Sequence, residues 1–456
     1  MKISKFTFLS AFFCAVSLIA ATPAVENAAS APAAVKIRLS LADAKEMALR
    51  KNPTLAMALA NIESAAAAVR RAQAAYYPSL DLEAGATRLR DAATRPGRDF
   101  DNHSNYSLGL SASWLIFNGG IRHFNDLIAR EGSATALKEC DDARRILMEN
   151  VALAYYVVIQ SQNSMNIASQ DAEFNRQLHE DAKKKLDHGV CKPSEVLNFE
   201  YQVDKAEADY ISAKQTWKNA CIALGHLLAI PQDAIWDNIE ILPPDDKVLN
   251  SYQINVPQLL DYAFQHRPDL QAAQSAVTQA ELQLKIARAG WMPTVAAFAN
   301  YGYDRDDKIK FNKHYDRNIT YGVSASWNVF NGFATEATIA QALANVKIAR
   351  ENLEALRLSV DAEIRNNAVA LESSREILEK QNKLLKIATE IRNLVREEYH
   401  GGTATITRLN EVQTDLTNTA LAQATAYVTV LNNLERLTSS TSYNIYKDTN
   451  QPEEKK

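Results

Sequence analysis

Apolar and small polar residues alternate without a break from Tyr106 to Trp114. Tyr106, Leu108, Leu110, Ala112 and Trp114 share one face, and Ser107, Gly109, Ser111 and Ser113 share the other. A strict period of two predicts a strand whose faces meet different environments. The pattern recurs late in the chain, with Ile319, Tyr321, Val323, Ala325 and Trp327 set against Thr320, Gly322, Ser324 and Ser326. Leu80, Leu82, Ala84 and Ala86 alternate with Asp81, Glu83, Gly85 and Thr87 in the same way, and 295–303 supplies a fourth such segment. Strands are therefore expected over about 79–88, 105–117, 294–304 and 318–330. Between and after them the period changes. Residues 334–399 contain neither Pro nor Gly, and 121–188 contain only Gly132. At ~1.5 Å per residue each run predicts a helix roughly 100 Å long. Leu371, Leu378 and Leu385 recur every seventh position, as do Ile377, Leu384 and Ile391 on an adjoining stripe. A sustained heptad implies supercoiled packing, and two neighbouring stripes imply helices on both flanks.

The chain is duplicated. Asn52-Pro53 and Tyr77-Pro78 in the first half answer to Arg267-Pro268 and Met292-Pro293 in the second, with the same spacing between prolines. The segment S-A-S-W-x-x-F-N-G runs from Ser111 to Gly119 and again from Ser324 to Gly332, and Gly189 aligns with Gly402. Internal similarity at this scale means two copies of one structural unit. The organisation expected is a signal peptide over 1–24, a flexible N-terminus over 25–38, a first repeat over 39–230, a Pro-rich linker over 231–256, a second repeat over 257–440 and a tail over 441–456. Each repeat runs helix, strand, strand, long helix (about 119–188 and 333–400) and final helix (about 192–229 and 404–439). Gly189 and Gly401-Gly402 are expected to end the long helices in a left-handed conformation, and Pro193 to open the next helix.

The strands carry a membrane signature. Lengths of about 9–11 residues suit a tilted membrane strand. The loops at 88–105 and 304–318 are polar, while Tyr76, Tyr77, Trp114, Trp291 and Trp327 cluster at the opposite strand ends, as a membrane-interface girdle does. The Ser/Gly face suits a wet lumen. Four strands cannot close a barrel, and an open edge cannot stand in lipid, so several chains must share one wall; three would supply ~12 strands. The fold class expected is mostly α with a membrane β-barrel portion, internally duplicated, its long coiled helices forming a trimeric α-barrel.

Composition narrows the function. Lys2 and Lys5 followed by the uncharged apolar run 6–21 and Thr22-Pro23-Ala24 predict an exported chain. The formal charge of -4 carries no nucleic-acid footprint. Cys140, Cys191 and Cys221 are too far apart along the helices to pair, so free thiols are expected in the mature chain. The histidines are scattered, and no nucleophile motif, metal cluster or phosphate loop occurs, so no catalytic, cofactor or metal site is expected.

Asn52-Pro53, Tyr77-Pro78, Phe117-Asn118-Gly119-Gly120, His188-Gly189 and their second-half copies together resemble the TolC-like outer-membrane efflux proteins, over nearly the whole of 39–440. That resemblance implies a homotrimer in the outer membrane with a 12-stranded barrel and a helical tunnel crossing the periplasm. It implies a periplasmic adaptor and an inner-membrane transporter as partners, in drug efflux, ion efflux or type I secretion. It places the aperture just after the glycine turns, on Glu195, Arg408 and Glu411. It also makes Gly189, Gly401 and Gly402 the turns that meet the adaptor. Arg408 stands where the family carries an acid, so ion pairs with Glu195 of a neighbouring copy are expected in place of a uniformly acidic ring. The rival reading, an envelope coiled-coil structural or adhesive protein, accounts for the heptads and the export but not for the paired strands.

Overall fold

The computed structural model describes residues 37–91, 101–189, 192–230, 239–243, 254–306, 311 and 315–443. The signal peptide, Cys191 and the tail beyond 443 lie outside them. The chain begins with β1 (Ile37–Leu39). Ser40 then caps α1 (Leu41–Lys51), its hydroxyl accepting from the Asp43 amide at 3.2 Å while the Asp43 carboxylate accepts from the Ser40 amide at 3.3 Å. This reciprocal box satisfies two otherwise orphaned donors. Where one leading helix is expected there are two, because a proline has no amide for the helix ladder and its ring disfavours a helical residue before it. Asn52 is extended, and α2 (Pro53–Ala74) starts afresh at an angle with proline in its first turn.

The strand pair β2 (Ser79–Asp91) and β3 (Asp101–Asn118) follows. Gly119 and Gly120, both at positive φ, turn the chain into α3 (Ile121–Asp187), and α4 (Pro193–Leu227) returns alongside it. The second repeat retraces this path with α5 (Val256–His266), α6 (Pro268–Ala289), β5 (Thr294–Asp306), β6 (Arg317–Ser326), α7 (Ala334–His400) and α8 (Ile406–Thr441), the break between α5 and α6 again falling at a proline. The two long helices have 67 residues each. Between the repeats, β4 (Ile239–Ile241) lies parallel to β1, with Leu39 opposite Ile241. The flexible N-terminus expected to 38 therefore gives way to structure at Ile37, and the expected linker contains a strand. Two short runs of alternating Ile and Leu gain each other as partners there, and the Tyr155 hydroxyl binds both, 2.9 Å from the Leu39 carbonyl and 2.5 Å from that of Leu242.

The core is a long seam. α3 packs against α4 on one flank and α8 on the other, and α7 packs against α8, so α4 and α7 are the outer helices of the layer. Its mid-height section holds Tyr155, Tyr156, Ile364, Leu371, Leu434 and Leu437, all fully buried, with Leu41 and Ile241 packed against it. The free thiols Cys140 and Cys221 are buried in the same section, and burial pushes the Cys221 thiol up to about 11.

One four-stranded antiparallel sheet stands above the helices in the order β2-β3-β5-β6. Ser79 opposes Ser113 in the first hairpin and Thr294 opposes Ser326 in the second, and these are equivalent positions of the repeat. β3 and β5 join the two repeats, Ser113 opposing Phe298. The last strand, expected to 330, ends at Ser326. Its counterpart β3 continues to Asn118 because β5 accompanies it that far, through Trp114 opposite Ala297 and Asn118 opposite Thr294. Among the described residues no strand lies on the far side of β6, and 327–331 pairs with none of them.

Candidate functional site

Two ends of the molecule carry its unusual surface. At the first, the sheet meets the helices. Tyr76 and Tyr77 precede β2, Trp291 precedes β5, Trp114 lies on β3 and Trp327 follows β6. The fold brings these together in two equivalent pairs. The Trp114 indole Nε1 donates to the Tyr76 carbonyl at 3.0 Å, and the Trp327 Nε1 donates to the Trp291 carbonyl at 3.0 Å. The polar edge of each indole is thereby satisfied while the ring stays outside, 47% exposed for Trp114 and 62% for Trp327. A satisfied N–H on an otherwise uncovered ring suits the boundary between water and hydrocarbon. Arg122 fixes the corner from below, its guanidinium 4.4 Å from the Tyr76 ring and donating to the Leu115 carbonyl at 2.5 Å.

The register sorts the faces of the sheet. Leu82, Leu110, Tyr301 and Ile319 form one cross-strand row, and Ala84, Leu108 and Tyr303 the next. All of these large apolar side chains except Tyr303 are exposed, so one face of the sheet is apolar and uncovered in the single chain. The opposite face carries Ser79, Ser113 and Ser111, with Ser79 and Ser113 hydrogen-bonded at 2.8 Å. Phe298 breaks this polar row. Gly322 beside it makes the room, since a Cβ there would stand 3.2 Å from the Phe298 ring. No helix among the described residues is long and apolar enough to cross a membrane.

At the second end the long helices turn back. Gly189 has φ 72° and Gly402 φ 78°, the left-handed conformation expected of a helix stop. Gly401 departs from that expectation. It is the right-handed cap of α7, its amide donating to the Glu397 carbonyl at 2.9 Å, and Gly402 alone makes the turn. Pro193 opens α4, and Glu195 sits in the first turn, where a carboxylate complements the helix dipole. Thr405 caps α8 by accepting from the Arg408 amide at 3.3 Å. Arg408 and Glu411, one turn apart, form an ion pair at 2.7 Å with both side chains half-exposed. The Arg408 guanidinium thus has a partner on its own helix.

Beneath the turns, a small core joins the two helical hairpins: Phe174, Leu178 and Ala182 of α3, Val196 and Phe199 of α4, Val395 of α7, and Leu409 and Val412 of α8. Tyr399 lies edge-on to Phe199 at 6.3 Å, with the Lys185 ammonium 4.8 Å from its ring. Arg392 and Arg396 both rest on Phe174, at 5.3 and 5.7 Å. Burial, with Arg396 beside it, lowers the Arg392 pKa from its ordinary value. Asn410 donates to Asn198 at 3.0 Å across the hairpins. Sequence reasoning missed these residues; the signal available was a lone aromatic, Phe174, on a helix face facing an arginine pair four residues apart. Among the described residues no three His, Cys, Asp or Glu side chains converge as metal ligands do.

The comparisons with known proteins concern this same architecture. A family model described as outer membrane efflux protein matches residues 45–229 and 259–442. Protein CyaE of Bordetella pertussis is 25% identical over 401 residues, spanning 87% of this chain and 82% of CyaE. Outer membrane protein TolC of Vibrio cholerae is 24% identical over 333 residues, 72% of this chain and 73% of TolC. Among solved structures, the Campylobacter jejuni CmeC outer membrane channel superposes with a TM-score of 0.77 at 18% identity, over 90% of this chain and 89% of CmeC. The outer membrane protein VceC of Vibrio cholerae superposes with a TM-score of 0.73 at 19% identity, over 89% and 97%. With both repeats matched by the family model and the fold shared along almost its whole length, the chain belongs to the outer membrane efflux protein family.

Proposed function

We propose that the chain is one subunit of a homotrimeric outer-membrane channel, the passive exit duct of a tripartite efflux or type I secretion system. The observation that carries this reading is the four-stranded sheet with an uncovered apolar face and two open edges. Unpaired backbone groups find no water in lipid, so such a sheet needs other copies to close it, and three give ~12 strands. The helices support the same assembly. On α7 the stripe Ile377, Leu384, Ile387, Ile391 and Leu394 is exposed, while Leu371 on the adjoining stripe is fully buried. On α4, Leu197, Tyr201 and Ile211 are exposed. The two helices are the outer members of the layer, and both reach the same turned-back end. One copy's α7 therefore meets the next copy's α4, a head-to-tail contact that closes under rotation.

The small polar face would line a wet lumen, and the long helices would carry the duct through the periplasm. Export would be driven by an inner-membrane transporter through a periplasmic adaptor that meets the turns at Gly189, Gly401 and Gly402. Glu195, Arg408 and Glu411 would stand at the aperture. A relative named a pyoverdine export outer membrane protein, 23% identical over 379 residues, supports small-molecule export as one use of such a duct. The test is a detergent extract of outer membranes, run on a gel with and without heating and reconstituted in a planar bilayer. A heat-sensitive trimer that conducts ions is expected. A monomer that stays in solution without detergent would sink the reading.

A further inference from the structure

The charged side chains of the sheet are sorted by face. Asp304 and Asp306 lie on the face of Ser107 and Ser111, and the Asn105 amide bridges them, donating to Asp304 at 2.5 Å and to Asp306 at 3.2 Å. Asp81 and Glu83, opposite Ser111 and Gly109, share that face. The arginines take the other one. Arg88 follows Leu82, Ala84 and Ala86 along β2 at the strand period, Arg305 follows Tyr301 and Tyr303 along β5, and Arg317 opposes Tyr303 on β6. Among the described residues of the strands, no arginine or lysine stands on the polar face and no carboxylate on the apolar one.

The three arginines also share a height. Arg317 opposes Tyr303, Arg305 opposes Tyr106 one row further out, and Arg88 opposes Ser104 in the row after that. These rows are at the end of the sheet away from the helices. From Arg317 to Trp327 the chain covers about 33 Å at ~3.3 Å per residue, and a barrel tilt of about 35–45° turns that into roughly 25 Å of height, the height of an apolar band in a membrane barrel. The Trp rings therefore mark the near boundary of the band and the arginines the far one. Arginine on a lipid-facing surface is costly at mid-height and tolerated at a boundary. The near boundary has no equivalent fork on offer: Arg122 there is turned onto the Leu115 and Ile116 carbonyls, at 2.5 and 3.3 Å. Exposed guanidinium groups thus meet one leaflet, the one facing away from the helical duct.

Resting on the membrane assembly proposed above, which puts this face in lipid, we propose that Arg88, Arg305 and Arg317 hold the phosphate groups of lipopolysaccharide, the phosphorylated glycolipid of the outer leaflet. A guanidinium presents parallel N–H donors that match a phosphate and keeps its charge at any pH the membrane meets. Arg88 and Arg317, on the two outer strands of the sheet, are exposed, and neither is paired with a carboxylate among the described residues. Arg305 pairs with Asp316 at 2.9 Å, and a guanidinium with five N–H groups has donors left for a second acceptor. The Tyr301 and Tyr303 hydroxyls, 3.0 Å apart, add hydrogen-bonding groups just inside this rim. Below them Leu82, Leu110 and Ile319 are exposed and receive the acyl chains. The carboxylates that would repel a phosphate are on the opposite side of the sheet. Charge and apolar surface are therefore arranged in the order in which a lipid presents phosphate and hydrocarbon.

Lipid titration of the delipidated, detergent-solubilised protein tests this. Three probes are used: lipid A with both phosphates, the same lipid with its phosphates removed, and phosphatidylglycerol. Bound lipid is counted by native mass spectrometry. The phosphorylated lipid A is expected to bind tightest. Arg88→Gln combined with Arg317→Gln should weaken it about thirtyfold, two surface contacts being lost, and should leave the dephosphorylated lipid unaffected. Arg88→Lys with Arg317→Lys should weaken it less, because charge remains without the fork. Glu83→Gln, on the other face, should change nothing. Removing the phosphates tests the same contact without altering the protein, and serves if the double variant does not assemble. Equal affinity for lipid A with and without phosphates, or equal affinity of the double Gln variant and the unsubstituted protein, overturns the site while leaving a conducting trimer intact. Phosphatidylglycerol binding as tightly as lipid A overturns the assignment to lipopolysaccharide. A protein that stays monomeric in solution without detergent overturns the assembly reading, and this site with it.

Discussion

The side-chain amide of Asn52 donates to the Leu227 carbonyl at 2.8 Å, tying the start of α2 to the end of α4. One repeat later the guanidinium of Arg267 does the same to the Ser440 carbonyl at 2.8 Å, tying the start of α6 to the end of α8. The residue before the proline is therefore the clasp of each repeat, where the leading helix breaks and the final helix ends. The two clasps differ in chemistry. Asn52 caps its own helix as well, accepting from the Thr54 amide at 2.8 Å. Arg267, 5% exposed, also binds Asp269 at 2.8 Å and Glu363 at 2.7 Å.

Truncating the clasps should destabilise the subunit unequally. Arg267→Ala strands the Asp269 carboxylate and the Ser440 carbonyl, and losing one side of a buried pair costs about 3–5 kcal/mol. Asn52→Ala removes a cap and a buried bond, about 1–3 kcal/mol. Arg267→Lys should rescue little, because a point charge cannot replace a planar fork serving three acceptors. Thermal unfolding of the detergent-solubilised protein should place the midpoints in the order wild type, Asn52→Ala, Arg267→Ala.

The acid limb of stability should depend on Asp269. Burial opposes its ionisation, but the hydrogen bonds and charge of Arg267 prevail and hold the carboxyl below the usual aspartate range. A depressed folded pKa contributes stability that is complete above the unfolded value of about 3.9 and is lost as pH falls toward the folded one. Asp269→Asn should flatten stability measured from pH 5 down to 3. An unchanged slope would show that the carboxylate does not carry the linkage.

The alkaline limb should depend on Tyr155. Burial, with the Asp43 carboxylate adding to it, pushes its phenol up to about 12. The folded state keeps the proton that the unfolded chain loses near pH 10. The contribution is therefore complete below about 10 and falls away as pH rises to 12, by about 2–3 kcal/mol in all. Tyr155→Phe should remove this slope. At neutral pH it should cost about 1–3 kcal/mol, since the Leu39 and Leu242 carbonyls lose their shared donor. Denaturation midpoints at pH 8 and pH 11 would separate the two effects.

Sequence disclosed most readily what is local and repeated. The alternation at Tyr106–Trp114, the heptads of Leu371 and Ile377 and the S-A-S-W-x-x-F-N-G duplication each carry their meaning within a few turns or strand residues. The clasp positions were visible as Asn52-Pro53 and Arg267-Pro268, but their partners at Leu227 and Ser440 are 175 and 173 residues away. The pairing of β1 with β4 was hidden for the same reason, since three-residue strands have no period to detect. β6 ends earlier than expected because 327–331, strand-like in sequence, has no partner strand among the described residues. At the tip, the spacing of Arg408 and Glu411 is that of an intrahelical pair.

The pair between Arg408 and Glu411 bears on how the aperture proposed for these residues would be held. Each half-exposed charge already has its partner one turn away at 2.7 Å, and such exposed pairs contribute only about 0–1 kcal/mol. An Arg408 bridge to Glu195 of the next copy would have to share the guanidinium with this pair or draw it away. If Arg408 holds the channel shut across copies, Arg408→Ala should raise single-channel conductance in a planar bilayer, and Glu195→Gln should raise it by a similar factor. If Arg408 serves only its own helix, Arg408→Ala should leave conductance unchanged but shift cation selectivity, because Glu411 would then face the duct without its counter-charge. Reversal potentials in a salt gradient, recorded with both variants, distinguish the two. The intrahelical geometry favours a selectivity change with little change in conductance.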